Sequence, residues 1–209
     1  MDKRSKDELI LIALHLDVLD ILNLCKTNKV INEKVCKNSD LWRRLILRDF
    51  PNFNFESLNA ELKKLFPKDI YTLLYTIKVW TLNIDVNMLF ETKKIYAELR
   101  NIKVIPENLY LPNLKTLILD HNRIKRIPDT LRLPNLERLS LNRNFIRDLP
   151  NLNLPNLTEL SLADNYIQRI PDNLILPPKL KLLDLRGTYP FVPRNFPLKQ
   201  SRIMSLFEK

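Results

Sequence analysis

The chain has 209 residues, of which 45% are apolar and 28% charged, and its formal net charge is +10. This composition is ordinary for a globular protein of one medium or two small domains. No apolar run is long enough to cross a membrane, and the charged stretch Met1–Glu8 lacks the pattern of a secretory signal. We therefore expect an intracellular protein, cytoplasmic or nuclear, with no membrane partner.

The positive charge is spread along the chain, because 34 Lys and Arg residues are interleaved with 24 Asp and Glu residues and form no dense basic block. Interleaved charges are typical of a solvated surface, whereas nucleic-acid-binding segments concentrate lysine and arginine. The sequence therefore disfavours a nucleic-acid partner.

Residues 7–49 have the periodicity of four short helices. Leu9, Ile12, Ala13 and Leu16 are spaced to share one face of the first helix. Asp20 is a candidate N-cap for the second. Four short helices bury little apolar surface by themselves, so we expect this module to pack against a neighbour.

Two cysteines, Cys25 and Cys36, lie eleven residues apart in this helical region. On one continuous helix they would be roughly 16 Å apart, which is too far for a disulfide. We expect two reduced cysteines that pack as small apolar groups. Neither belongs to a C-x-x-C motif, so the sequence predicts no metal site and no cofactor.

The region that follows is predicted to continue as helix. One helix over 58–66 is expected to end at Pro67, and Asp69 is a candidate N-cap for a second helix that runs to Ile77.

A repeated segment is the strongest pattern in the chain. Residues 111–124 recur at 133–146 and again at 154–167, and looser copies lie at 95–106 and 176–188. Each clear copy reads Leu-Pro-Asn-Leu-x-x-Leu-x-Leu-x-x-Asn-x-Ile. A repeat of 21 or 22 residues predicts a solenoid whose terminal coils are irregular.

The repeat has a physical explanation. Its Leu-x-x-Leu-x-Leu segment alternates, so the leucines point inward from a short strand and the residues between them face outward. Asn122, Asn144 and Asn165 follow each strand, where an amide side chain can bond the turning backbone. The frequent prolines exclude a long helix on the return side, so extended or 3-10 backbone is expected there.

These residues resemble the leucine-rich-repeat family. In that family the outward strand residues form a concave face that contacts a protein partner. Five strands about 4.8 Å apart would give a strip of roughly 20 Å, mixed in charge and with an apolar spot at Ile118. The partner-binding residues that the resemblance implies are Tyr96, Glu98, Thr116, Ile118, Asp120, His121, Arg138, Ser140, Asn142, Arg143, Glu159, Ser161, Asp164, Asp184 and Arg186.

The first helices resemble an F-box. Glu8–Leu22 is similar to the opening of that family, Asn28–Asn32 occupies the position of its Cys-Lys-Arg-Phe-Asn segment, and Leu41–Leu45 matches its closing Leu-Trp. The Leu-Pro of that family is absent, because Arg4-Ser5 stands at its position. The resemblance implies docking to the adaptor of a cullin-type ubiquitin ligase through Ile12, Leu16, Ile21, Leu22 and Leu24.

The predicted fold class is α+β, with a helical module before a short parallel-stranded solenoid of four to five coils. We divide the chain into an F-box-like module (1–49), a helical linker and N-terminal cap (50–91), leucine-rich repeats (92–195) and a C-terminal cap (196–209). The residues expected to cover the solenoid ends are Trp80 and Leu82 at the first coil and Phe191, Phe196, Ile203 and Phe207 at the last.

Two functional hypotheses remain. In one, the chain is the substrate receptor of a cullin-type ligase. In the other, it is an interaction scaffold without a ligase, and its helical half is only a cap on the solenoid. Exposure of Ile12, Leu16 and Leu22 would favour the first. The two histidines, His15 and His121, belong to different predicted elements, so we expect no enzyme and a monomer outside its complexes. The loose F-box also resembles those of large DNA viruses, which would imply the host cytoplasm.

Overall fold

The computed structural model describes residues 5–58, 62–80, 82, 84–107, 109–188 and 203–204. The chain divides into two compact units, residues 1–75 and 76–209. Helices make up the first unit and a parallel sheet the second, so the α+β prediction is confirmed. The finer domain boundaries stay a prediction. In the described part of the chain, no helix is long and apolar enough to span a membrane.

The helical unit begins with four short helices, as predicted. They are α1 (Lys6–Ala13), α2 (Val18–Thr27), α3 (Lys29–Ile31) and α4 (Ser39–Asp49), and a π-helical turn, Asn32–Cys36, follows α3. The fifth helix, α5 (Pro67–Val79), crosses the boundary between the units. Three helices begin after a residue whose side chain accepts a hydrogen bond from a backbone N–H group. These N-cap residues are Ser5 for α1, Asn28 for α3 and Asn38 for α4.

Several predicted helix details are wrong. Because α1 ends at Ala13, Leu16 lies beyond it, and the buried residues of α1 are Leu9, Ile10 and Ala13. Asp20 is not a cap, because α2 begins at Val18 and Asp20 lies in its first turn. Apolar spacing located these helices but did not fix their ends, which depend on capping hydrogen bonds.

The helix predicted before Pro67 is also wrong. Short 3-10 turns occupy Phe55–Ser57 and Leu62–Lys64 instead. Pro67 begins α5 rather than ending a helix, and Asp69 lies within its first turn. The fixed φ of proline and its missing N–H suit the first position of a helix.

The core of the helical unit is centred on Trp42 and Tyr71, which are both almost fully buried. Their rings meet edge to face at 5.7 Å between centroids. The Trp42 indole N–H donates to the carbonyl of Cys36 at 2.9 Å. The Tyr71 hydroxyl donates to Asp49, and burial together with this neighbouring carboxylate raises the pKa of Tyr71.

The two cysteines form a disulfide, contrary to the prediction. Their Cα atoms are 5.9 Å apart, and both side chains are buried. The prediction assumed one continuous helix, but the chain leaves α2 after Thr27, restarts at the Asn28 cap and passes through the π-helical turn. These changes of direction bring Cys36 back against Cys25.

Reduction of the disulfide is expected to destabilise the helical unit. A closed loop of this size stabilises by about 3 kcal/mol in the chain-entropy model. Thermal unfolding followed by circular dichroism with and without dithiothreitol measures the effect. A Cys25→Ala/Cys36→Ala variant is the control and should not respond to the reductant. Equal unfolding curves for the oxidised and reduced native chain would contradict the stabilising role.

The second unit is a solenoid of parallel strands in chain order. The strands are β1 (Lys94–Tyr96), β2 (Thr116–Ile118), β3 (Arg138–Ser140), β4 (Glu159–Ser161), β5 (Leu182–Asp184) and β6 (Ile203–Met204). Their central residues align in one register, which runs Ile95, Leu117, Leu139, Leu160, Leu183 and Ile203. From Ile95 to Leu183, every central side chain is at most 2% exposed, which confirms the inward leucines.

Between the strands the described backbone is extended or forms turns, without helix, as the prolines predicted. Side-chain amides connect the coils here, since Asn135 donates to the carbonyl of Pro112 and Asn156 to that of Pro134, both at 2.8 Å. Asn113 donates in the same way to Phe90 at 2.9 Å. Phe90 therefore takes the place of a repeat proline, one coil before the clear repeats.

The residues predicted to cover the solenoid ends are described only in part. Trp80 is buried and Leu82 half-buried, and Ile203 pairs with Leu183 in the sheet. Phe191, Phe196 and Phe207 lie outside the described residues.

Asn122, Asn144 and Asn165 form a buried ladder at the ends of the strands. The Asn144 side-chain amide donates to the carbonyls of Leu119, Leu141 and Asn142 at 2.9–3.2 Å, and its oxygen accepts from the N–H of Ile124 at 3.0 Å. Asn122 and Asn165 repeat this pattern. The ladder joins each coil to the preceding one where strand pairing ends.

Replacing Asn144 by alanine is expected to cost the solenoid about 3 kcal/mol or more. The side chain is 3% exposed, so its removal leaves several buried backbone groups without partners. Urea unfolding measures the change. Asn153→Ala removes an exposed asparagine nearby and should change stability by less than about 0.5 kcal/mol. Equal effects of the two substitutions would refute the proposed role of the ladder.

Candidate protein-binding surface

The predicted partner-binding residues lie on five adjacent strands and the turns that follow them. The register places Tyr96, Ile118, Ser140, Ser161 and Asp184 in one row across the sheet. Tyr96 is 57% exposed, whereas Ile118, Ser140 and Asp184 are buried. In this row the exposed large side chain is therefore Tyr96 and not Ile118.

A hydrogen-bonded cluster orders the centre of the face. The Asp120 carboxylate accepts from the Ser140 hydroxyl at 2.7 Å and from the backbone N–H of Asn142 at 2.8 Å. The Asn142 side chain in turn accepts from the N–H of Ala163 at 2.8 Å. Because these polar groups bond one another, their main effect is to order the face. They offer few hydrogen bonds to a partner.

Charged pairs cross the face from strand to strand. Lys115 pairs with Glu137 at 2.8 Å and Arg138 with Glu159 at 3.4 Å. All four side chains are at least 42% exposed, so each pair contributes little to stability. The alternating charges favour a partner surface of mixed charge.

Each turn after a strand has a residue in the left-handed backbone region. After β1 to β5 these residues are Leu99, His121, Arg143, Asp164 and Gly187, with φ between 53° and 72°. They form a column in which the Arg143 guanidinium bonds Asp164 at 3.1 Å and lies 3.5 Å from the His121 ring. The repeat geometry therefore brings a histidine, an arginine and an aspartate to one edge of the face.

The remaining predicted residues differ in exposure. Those that are exposed are Glu98, His121, Arg138, Arg143, Asp164 and Arg186, and those that are half-buried are Thr116, Asp120, Asn142, Glu159 and Ser161. Arg186 folds back on Asp184, with 2.7 Å between Nη2 and Oδ2. The role of these residues in binding a partner stays a prediction.

The predicted adaptor contacts of the helical unit are not equally accessible. Ile12 and Leu24 are 40% and 38% exposed, Leu16 and Leu22 are half-buried, and Ile21 is buried. Sequence reasoning missed Leu11, which is 56% exposed on α1. It also missed Arg48, whose guanidinium bonds the carbonyls of Leu14 and Leu16 at 2.6 and 3.2 Å and so fixes the end of α1 against α4.

The histidines have local partners. His15 Nδ1 lies 2.8 Å from the carbonyl of Leu11, one helical turn earlier, and His121 lies beside Arg143. Among the described residues, no group of three His, Cys, Asp or Glu side chains has the arrangement of a metal site.

Comparison with protein families agrees with the solenoid. The family described as Leucine Rich repeats (2 copies) matches residues 112–154 and 134–181. The match covers two leucine-rich repeats, and the parallel strands and inward leucines around it are consistent with a leucine-rich-repeat solenoid. Such repeats support a role in protein–protein interaction. No F-box family matches the helical unit, and no match was found among curated proteins.

We expect that position 187 needs glycine mainly because a larger residue would collide with Asp164, and less because of its left-handed backbone. A Cβ atom there would lie 2.2 Å from Asp164 Oδ1, although residues with side chains occupy the same position in the other coils. Gly187→Ala should therefore cost about 1–2 kcal/mol in urea unfolding. In an Asp164→Ala background the same substitution should cost clearly less. Equal costs in both backgrounds would show that the left-handed backbone alone requires glycine.

Proposed function

We propose that this chain is the substrate receptor of a cullin-type ubiquitin ligase. The helical unit docks to the ligase adaptor, and the solenoid face binds the protein to be modified. The observation that supports the adaptor contact best is the exposure of large apolar side chains on α1 and α2, namely Leu11, Ile12 and Leu24.

Exposed apolar side chains on two consecutive short helices suit an apolar groove on a partner. Burial of such groups by a partner is favourable by about 25 cal/mol per Å². The opposite side of α1 packs into the unit through Leu9, Ile10 and Ala13. Because Arg48 also bonds the end of α1, the exposed residues lie on a helix fixed before binding, which lowers the entropic cost of docking.

The solenoid face has the features of a protein-binding surface. Tyr96 offers an exposed aromatic ring, and rows of arginine and acidic side chains surround a centre ordered by Asp120. Aromatic and arginine side chains are the usual energetic anchors of protein interfaces.

The alternative is an interaction scaffold without a ligase. The burial of Ile21 and the partial burial of Leu16 and Leu22 favour it, because those predicted contacts serve the fold of the helical unit.

Co-purification with a recombinant cullin adaptor separates the two functions. The native chain should be captured, and an Ile12→Asp/Leu24→Asp variant should bind at least about 10-fold more weakly, because charges would enter an apolar interface. A Met88→Asp/Val104→Asp variant is the matched control, since it changes two exposed apolar residues of the solenoid unit. It should bind like the native chain.

Circular dichroism confirms that each variant is folded. Absence of capture by the folded native chain, or equal losses in both variants, would leave the scaffold as the function.

A further inference from the structure

A lateral surface of the solenoid collects side chains that lie far apart in the sequence. After each turn the chain passes through an inward isoleucine, and one residue on either side of it faces solvent. We call these residues the side strip. Its first column is Asn101, Arg123, Phe145 and Tyr166, and its second is Lys103, Lys125, Arg147 and Gln168, all exposed.

Backbone hydrogen bonds keep the two columns straight. The N–H groups of Arg123, Phe145 and Tyr166 each donate at 2.8 Å to a carbonyl of the preceding coil. Neighbouring coils bonded in this way are about 4.8 Å apart, and residues two apart on one extended segment are about 6.6 Å apart. The side strip is therefore a regular surface four coils long.

All charged residues of the side strip are basic. It contains Arg123, Lys103, Lys125 and Arg147 and no acidic residue. In the part of the chain that the structure describes, the carboxylates beside the side strip pair with cations outside it. Arg126 pairs with Glu107, and Arg169 pairs with Asp172. The four cations are thus available to a polyanion.

Two exposed aromatic rings adjoin these cations. Phe145 and Tyr166 stack nearly parallel, with 5.6 Å between ring centroids and 6° between planes, and they are 42% and 55% exposed. A parallel aromatic stack in solvent presents flat surfaces that a further planar ring can extend. Nucleic-acid bases bind proteins in this way, and aromatic residues beside cations are typical of single-strand-binding surfaces.

We propose that the side strip binds single-stranded nucleic acid, with bases stacked against Phe145 and Tyr166 and phosphates on the neighbouring cations. These cations are Lys103, Arg123, Lys125 and Arg147. An acidic peptide would satisfy the cations but would gain little from flat, exposed rings. This site differs from the strand face proposed for the protein target. The four cations come from three different repeats and therefore form no dense basic block in the sequence, which is why the sequence disfavoured a nucleic-acid partner.

Fluorescence anisotropy with 12-nucleotide oligo-U and oligo-dT tests the proposal. We expect dissociation constants of about 1–100 μM at physiological salt, with the logarithm of affinity falling against the logarithm of salt by a slope of up to about −2.8 for four contacts. Equal binding of both oligonucleotides indicates base and phosphate contacts alone, and tighter oligo-U indicates an added contact to the 2′-hydroxyl. Either result supports the site.

Two variants locate the contacts. Lys103→Gln/Lys125→Gln/Arg147→Gln should lower the magnitude of the salt slope by about 2. Phe145→Ala/Tyr166→Ala should weaken binding about 5- to 100-fold with little change in that slope. Lys94→Gln/Lys115→Gln/Lys181→Gln is the control, because it removes the same charge from exposed positions on or beside the strands.

Three results would overturn the proposal. They are no binding by the folded native chain, an equal loss of affinity in the charge control, or binding of a polyglutamate peptide as tight as that of the oligonucleotides and unaffected by Phe145→Ala/Tyr166→Ala. The last result would identify the side strip as a site for acidic peptides.

Discussion

The central coils of this solenoid depend on one buried side-chain amide in the turn after each strand, supplied by Asn122, Asn144 and Asn165. Where a strand ends, the chain bends away from its neighbours and strand pairing can no longer satisfy the backbone. Asn144 supplies three donor bonds and one acceptor bond at this place while remaining 3% exposed. Because it bonds both its own coil and the preceding one, it fixes their spacing as well as the turn.

Both surfaces that we assign to binding follow from this turn. The residue before each asparagine adopts the left-handed conformation, which produces the column of His121, Arg143 and Asp164 at the edge of the strand face. The residue after it begins the side strip, where Phe145 and Tyr166 stack. One buried contact thus sets the position of the exposed side chains on either side of it.

The solenoid could be predicted from the sequence because its core residues recur at a fixed interval. Each repeat independently indicates where a leucine points inward, so errors at one coil are corrected by the others. Burial on the strand face could not be predicted in the same way. Alternation shows that Ile118 and Ser140 face outward, but not that their surroundings leave them little exposed surface.

The helical unit shows the opposite situation. Its apolar spacing predicted four helices, but no repeat marks where each one ends. The break at Asn28 and the π-helical turn after α3 change the direction of the chain and bring the two cysteines together. A distance calculated along one straight helix could not reveal that pairing. Arg48 was missed for a related reason, because its bonds join residues 34 and 32 positions apart.

The strands keep one register although the repeats differ in length. The central residues Ile95, Leu117, Leu139, Leu160 and Leu183 follow one another at intervals of 22, 22, 21 and 23 residues. The return segments absorb the difference, since the inward positions and the turns stay aligned. Insertions and deletions on the proline-rich side are therefore nearly neutral for the strand face. The outer contour of the solenoid can thus vary in length from coil to coil while the spacing of side chains on the strand face stays constant.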